Sequence, residues 1–114
     1  MNAKIAYTAH STPKKILSNF DLEKIVNTSD AWIRSRTGIK QRYIVENGEA
    51  SSDISTNIAK QLLEKSKIHS DDIDLIIVGT VTPDHYTPST AALVQKNINA
   101  NNAWGFDLSA ACSG

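Results

Sequence analysis

Leu75-Ile76-Ile77-Val78-Gly79-Thr80-Val81 limits the fold more than any other stretch of this chain. Apolar side chains follow one another there without the alternation of a half-solvated strand. Such a run reads as a strand covered on both faces, and strands of that kind belong to parallel sheets with helices packed against them. The downstream sequence fits that frame. Thr82 to Pro88 is a loop, Ser89 can cap a helix carrying Ala92, Leu93 and Ile98, and Ala103 to Leu108 is β-compatible again. Strand, helix and strand over residues 74–109 make a βαβ unit, and the expected fold class is α/β.

Upstream elements are shorter. Lys4 to Thr8 reads as an opening strand that Pro13 and two lysines break. Ser18 or Asn19 can cap a helix with Asp21 and Glu23 in its first turn and Leu22, Ile25 and Val26 on one stripe. Thr28-Ser29-Asp30 is a second cap signal, opening a short helix that stops at Gly38. Ile39 to Val45 is β-compatible and Asn47-Gly48 is turn chemistry. Ser51 or Ser52 then caps a longer helix in which Ile54, Ile58 and Leu62 recur every four residues, and His69-Ser70-Asp71-Asp72 closes it. No internal repeat, linker or low-complexity tract interrupts the 114 residues, so one domain or part of one is expected over 1–114.

Charge narrows the function classes. Twelve basic and twelve acidic residues cancel, which argues against a polyanion or nucleic-acid binder by bulk charge. The balance is uneven, with a basic excess in the first half and an acidic one in the second. A single cysteine forms no internal disulfide and fits a reducing compartment. The N-terminus lacks a signal-peptide pattern and no window approaches a spanning helix, so the expected location is cytoplasmic, with no membrane partner.

That cysteine, Cys112, lies in Ala110-Ala111-Cys112-Ser113-Gly114, just past the last strand. A buried structural thiol is the plain alternative. The functional reading is a nucleophile. Sites in open α/β sheets lie beyond the carboxyl ends of strands, and a sharp strand-to-helix turn exposes its side chain there. Small neighbours admit a substrate, and the amides of a following helix would stabilise a thiolate. The histidines at 10, 69 and 85 have no defensible spacing to Cys112, and without a second cysteine or a close His pair no metal site is expected.

A second segment, Asn27 to Val45, carries Arg34, Arg36, Lys40 and Arg42 with no acid between Asp30 and Glu46. Trp32 and Arg36 are four apart and share a face on a helix. An indole beside a guanidinium can hold a planar base and a phosphate together, which points to a phosphorylated adenine carrier such as coenzyme A. Thr28 and Thr37 add hydroxyls. A solvated basic turn with Trp32 in the core is the alternative. Nucleic acid fits less well, since few aromatics are interleaved.

Three blocks together resemble the ketoacyl synthase III branch of the thiolase superfamily. The first is Asn27-Thr28-Ser29-Asp30-Ala31-Trp32-Ile33 continued by Arg36-Thr37-Gly38-Ile39 and Arg42. The second is Thr82-Pro83-Asp84 with Pro88-Ser89-Thr90-Ala91, and the third is Phe106-Asp107-Leu108-Ser109-Ala110-Ala111-Cys112-Ser113-Gly114. The resemblance runs over nearly the whole chain. It implies the incomplete first half of a thiolase-like fold, a mixed and largely parallel sheet with helices on its faces, ending at the nucleophile turn. It also implies the condensation that starts type II fatty acid synthesis. Cys112 would take an acetyl or short acyl group from acyl-CoA, and the carbanion left when malonyl-acyl carrier protein loses carbon dioxide would attack that thioester. Trp32 would stack on the CoA adenine, Arg36 would contact the nucleotide or a phosphate, and Thr28 and Thr37 would make lesser contacts. Acyl-CoA is then a substrate, and no cofactor is implied. The family is usually homodimeric, and in some members an aromatic residue at the position of Thr87 reaches into the partner's acyl pocket.

Two departures bear on that reading. Ala9-His10-Ser11-Thr12-Pro13 replaces a glycine-containing pattern ending Tyr-Leu-Pro. The family also continues through a second half that supplies a histidine and an asparagine for the malonyl step, an oxyanion-hole role that no residue of this chain is assigned. The expectation is a first portion that is inactive and poorly stable alone. The competing expectation is a non-catalytic truncated remnant, at most a CoA-binding fragment.

Overall fold

A computed structural model describes residues 2–114. They form two compact units, one of Thr12–Gly48 and one of residues 49–114 with the segment ending at Ser11.

The Thr12–Gly48 unit opens with strand β1 (Lys15–Ser18), which pairs antiparallel with β2 (Gln41–Ile44). Helices α1 (Asn19–Glu23) and α2 (Asp30–Thr37) lie between them in sequence. Both start where their cap residues dictate. Ser18 Oγ accepts the Asp21 N–H at 3.2 Å while Asp21 Oδ2 accepts the Ser18 N–H at 3.1 Å, a reciprocal pair that satisfies two helix-end donors. Ser29 Oγ accepts the Trp32 N–H at 3.2 Å. α2 stops at Gly38, whose φ of 73° is left-handed and whose N–H donates to the Arg34 carbonyl at 2.9 Å. The expected strand at 39–45 is present as β2, but β1 carries no signal that distinguished it from loop. Its four residues end at the α1 cap and gain strand geometry through the ladder with β2.

Asn19 holds this unit together. It is fully buried. Its Nδ2 donates to Asp30 Oδ1 and to the Ile39 carbonyl, both at 2.8 Å, and its Oδ1 accepts from the Arg42 guanidinium at 2.9 Å. One amide thus joins the starts of α1 and α2 to β2, with every bond satisfied as burial demands.

In the other unit, α3 (Ser51–Ser66) runs to strand β3 (Leu75–Gly79), followed by α4 (Thr90–Asn97) and β4 (Trp104–Leu108). β3 and β4 are parallel, in register Leu75 to Trp104 through Gly79 to Leu108. The βαβ unit is as the apolar run implied. Val94, Ile98, Ala100 and Ala103 form the core, with Ala59 and Leu63 of α3 and Ile76 and Val78 of β3 packed on it. Asn97 Nδ2 donates to Thr56 Oγ1 at 3.0 Å, tying α4 to α3, and Gln95 Nε2 donates to the Ala103 carbonyl at 2.7 Å. Gly105 permits the contact between β4 and α4. A Cβ there would stand 2.8 Å from the Ile76 carbonyl oxygen and 3.2 Å from Ala91 Cβ.

Three local expectations are corrected. No strand forms over Lys4–Thr8; in place of a ladder, the carbonyls of Thr8 and nearby His10 take side-chain donors, Lys65 Nζ at 2.9 Å and Gln61 Nε2 at 3.2 Å. The cap of α3 is Ala50 rather than Ser51 or Ser52: the Asp53 carboxylate accepts the Ala50 N–H at 2.9 Å, while Ser51 Oγ donates to the Thr82 carbonyl. Finally, β3 is covered on one face only. Ile76 and Val78 meet the helices, whereas Leu75 and Ile77 share an open face with Trp104, Phe106 and Leu108. Both helices that contact the pair pack on the same side, so continuous apolarity meets a single covering layer.

Candidate functional site

Cys112 follows β4 by four residues, beyond the carboxyl ends of the two parallel strands. It is exposed and free, so the buried-thiol alternative does not describe it. A three-residue 3-10 turn, Ala111–Ser113, stands where the sequence pointed to an opening helix. The turn is closed by Ser113 N–H to the Ala110 carbonyl at 2.9 Å, and Ala111 adopts a left-handed φ of 47°. Such a conformation costs a non-glycine residue about 1–2 kcal/mol and is least demanding for a small side chain. Small residues at 110, 111, 113 and 114 thus serve backbone geometry as well as access.

Two anchors fix the strand end that leads into this turn. The Thr80 N–H donates to the Leu108 carbonyl at 3.2 Å, and Asp107 takes the first two amides of α4. Thr87 is exposed in the loop between Thr80 and Ser89. The loop is secured at Asp84, whose carboxylate accepts the Ser52 N–H at 2.9 Å. A cavity of about 460 Å³ lies against it, lined by Thr80, His85, Tyr86, Phe106, Asp107 and Ser109 among others. A larger apolar groove of about 580 Å³ lies along β3, lined by Ile58, Leu62, Ile76 and Tyr7 among others. Cys112 lines neither.

Trp32, Arg36, Thr28 and Thr37 belong to the Thr12–Gly48 unit. Trp32 and Arg36 sit one turn apart on α2, and the indole is 58 % exposed, so the core alternative for Trp32 does not hold. No hydrogen bond or ion pair engages Arg36 among the described residues. Its neighbours in the basic run differ. Arg34 Nε is paired with Asp30 at 2.9 Å, and Arg42 is spent on Asn19 and, at 3.3 Å, the Leu17 carbonyl. Hydrogen bonds from Arg34 first, then from Asn19, hold the Asp30 carboxyl below its ordinary value. Thr37 Oγ1 donates to the Ile33 carbonyl at 2.8 Å and accepts the Ile39 N–H at 3.1 Å, which commits that hydroxyl to the helix end. Thr28 is half-buried just before the Ser29 cap.

Sequence reasoning gave Asp84 and Asp107 no structural role and took Asn19 only as a possible helix cap. Each acts through a partner 11 to 32 residues away, so no local pattern marks it. No helix among the described residues is long and apolar enough to cross a membrane.

The chain is similar over its whole length to beta-ketoacyl-[acyl-carrier-protein] synthase III of Chlorobaculum tepidum, with 58% identity over 115 aligned positions covering 100% of this chain and 35% of that protein. The Streptococcus suis protein of the same name is 57% identical, covering 99% of this chain and 34% of its own length. Among solved structures, 3-oxoacyl-[acyl-carrier-protein] synthase III from Aquifex aeolicus superposes with a TM-score of 0.89 at 48% identity, over 94% of this chain and 34% of that one. The priming beta-ketosynthase of the R1128 polyketide pathway does so with a TM-score of 0.83 at 32% identity, over 88% and 30%. No family model matches. The chain spans about a third of the length of the curated relatives it matches. The resemblance to the ketoacyl synthase III branch holds across all of it, as a match to an N-terminal portion, and the α/β fold is that portion's fold.

Proposed function

We propose that this chain, matched end to end to the N-terminal third of beta-ketoacyl-acyl-carrier-protein synthase III, carries the acyl-accepting part of that condensation. The observation that carries the reading is the 58% identity over the full chain to a protein named for the reaction. In the first step the Cys112 thiolate attacks the thioester carbonyl of an acetyl- or short acyl-CoA. The tetrahedral oxyanion collapses, the CoA thiolate leaves and takes up a proton, and the acyl group remains on sulfur. In the second step malonyl-acyl carrier protein loses carbon dioxide, its carbanion attacks the Cys112 thioester, and the thiolate is released as the new carbon–carbon bond forms.

Placement supports the first step. An exposed thiol on a tight turn past a parallel strand pair is open to an incoming thioester. The exposed Trp32 indole and the unengaged Arg36 suit an adenine and a phosphate, with Thr28 at the edge and Thr37 acting through the helix end. We read Thr87 as a residue of the acyl pocket across a homodimer, and acyl-CoA and acyl carrier protein as the partners. A lone free cysteine fits a cytoplasmic setting.

The test is intact-mass spectrometry after incubation with acetyl-CoA. One acetyl group on the chain, absent in Cys112→Ala and needing at least tenfold more acetyl-CoA in Trp32→Ala, is the expected result. An unmodified but folded chain at millimolar acetyl-CoA refutes acyl acceptance.

A further inference from the structure

Asp107 lies on the covered face of β4, opposite Val78 in the ladder. Its Oδ2 accepts the Thr90 N–H at 2.7 Å and its Oδ1 accepts the Ala91 N–H at 2.8 Å. Ser89 Oγ takes the next amide, that of Ala92, at 3.2 Å. The leading amides of α4 are therefore closed from within the protein, two of them by a single carboxylate 16 and 17 residues further along the chain. Thr90 and Ala91 are fully buried. Charge-assisted bonds of this kind are short, directional and roughly twice as strong as neutral ones, and a negative charge at a helix N-terminus is favoured by the helix dipole.

The position of this clamp matters more than its strength. α4 begins directly after the loop that bears Thr87, and Asp107 precedes Cys112 by five residues. Between them, the Leu108 carbonyl takes the Thr80 N–H, at the start of the same loop. Among the described residues, the hydrogen bonds within the turn of Cys112 are short-range, Ser113 to Ala110 and Gly114 to Ala111.

We propose that Asp107 is a positioning residue for Cys112, clamping the thiol-bearing strand end to the start of α4 and so to the Thr87 loop. This rests on the reading of Cys112 as acyl acceptor, and its test is separable from that reading. Asp107→Asn keeps the shape but sets an amide NH2 against one of the two N–H donors. Thr90→Pro removes a single donor without touching Asp107. Proline is tolerated at the first helical position, and the extended Ser89 (φ −63°, ψ 155°) suits a residue before proline. Asp53→Asn, which weakens the start of α3 through the Ala50 N–H, controls for the loss of a helix cap as such.

A fluorine label on Cys112 gives the first readout. One narrow resonance is expected in the parent protein and in Asp53→Asn, and a broadened or split one in Asp107→Asn. Acetyl transfer gives the second. The rate at saturating acetyl-CoA is expected to fall at least tenfold in Asp107→Asn, with the half-saturating concentration within twofold. Where circular dichroism shows Asp107→Asn unfolded, Thr90→Pro carries the same measurements. Fluorine spectra indistinguishable from the parent, a saturated rate within twofold, or equal losses in Asp53→Asn overturn the proposal. A parent protein that takes no acetyl group sinks the acyl-acceptor reading, and the spectra still decide whether Asp107 holds the thiol in place.

Discussion

Replacing Asn19 by alanine removes three hydrogen bonds at one fully buried point. Bonds to charged partners are worth about 1.5–3 kcal/mol and neutral ones about 0.5–1.5, so the gross loss is roughly 4–7 kcal/mol. Two features reduce it. Asp30 keeps Arg34, and Arg42 keeps the Leu17 carbonyl. Both freed groups are partly open to water, and rehydration leaves a net cost of about 3 kcal/mol. Amide hydrogen exchange reads this locally. The Ile33 N–H, bonded to the Ser29 carbonyl at 3.0 Å inside α2, reports opening of the Thr12–Gly48 unit. A cost of about 3 kcal/mol is a fall of roughly 100-fold in its protection, since 1.4 kcal/mol is tenfold. Asn19→Asp is expected to be at least as damaging at neutral pH. It keeps the acceptor for Arg42 but loses both donors and puts a second carboxylate against Asp30. A fall of less than fivefold in Asn19→Ala, or an Asn19→Asp protein as protected as the parent, would refute the view that this amide network organises the unit.

Two further outcomes follow from other parts of the chain. Gly105→Ala places a methyl 2.8 Å from the Ile76 carbonyl oxygen, so β4 and β3 must separate; a loss of about 1–3 kcal/mol is expected in urea unfolding followed by Trp104 fluorescence in a Trp32→Phe background, and an unchanged midpoint would contradict the close approach. Asp30, held low by Arg34 and then Asn19, is ionised in the folded chain at pH values where the unfolded chain binds a proton. Its contribution is complete above the ordinary value of 3.8, shrinks as pH falls below that, and is gone under the lowered folded value. Exchange protection in α2 should therefore decline in acid through that window, and less so in Arg34→Gln.

The parts legible in the sequence were those written locally. Ser29 and Gly38 bracket α2 because a cap oxygen and a left-handed glycine act within a few residues of the helix ends. The apolar run at Leu75 gave the parallel pair, and Ser89 gave the start of α4. β1 was illegible because Lys15-Ile16-Leu17-Ser18 becomes a strand only through its partner 23 to 29 residues away. Asp107 is one acid in an apolar strand, and its task appears only when α4 folds back over β4. At the candidate site, Trp32 and Arg36 were found from their spacing on a helix. Arg42 was grouped with them by charge, yet it serves Asn19, because composition does not tell a solvated cation from a paired one.

Leu75, Ile77, Trp104, Phe106 and Leu108 keep 39–63% of their surface exposed after folding, on a strand pair whose other side packs against helices. Only part of the water around them is released on folding and taken up again on unfolding. Their share of the heat capacity change is therefore reduced, and the free energy of the unit varies with temperature more gently than the usual 12–15 cal/mol/K per residue, about the norm for globular proteins, would give. Cold weakens such a unit less than its composition implies, and the temperature at which it is most stable is correspondingly ill-defined.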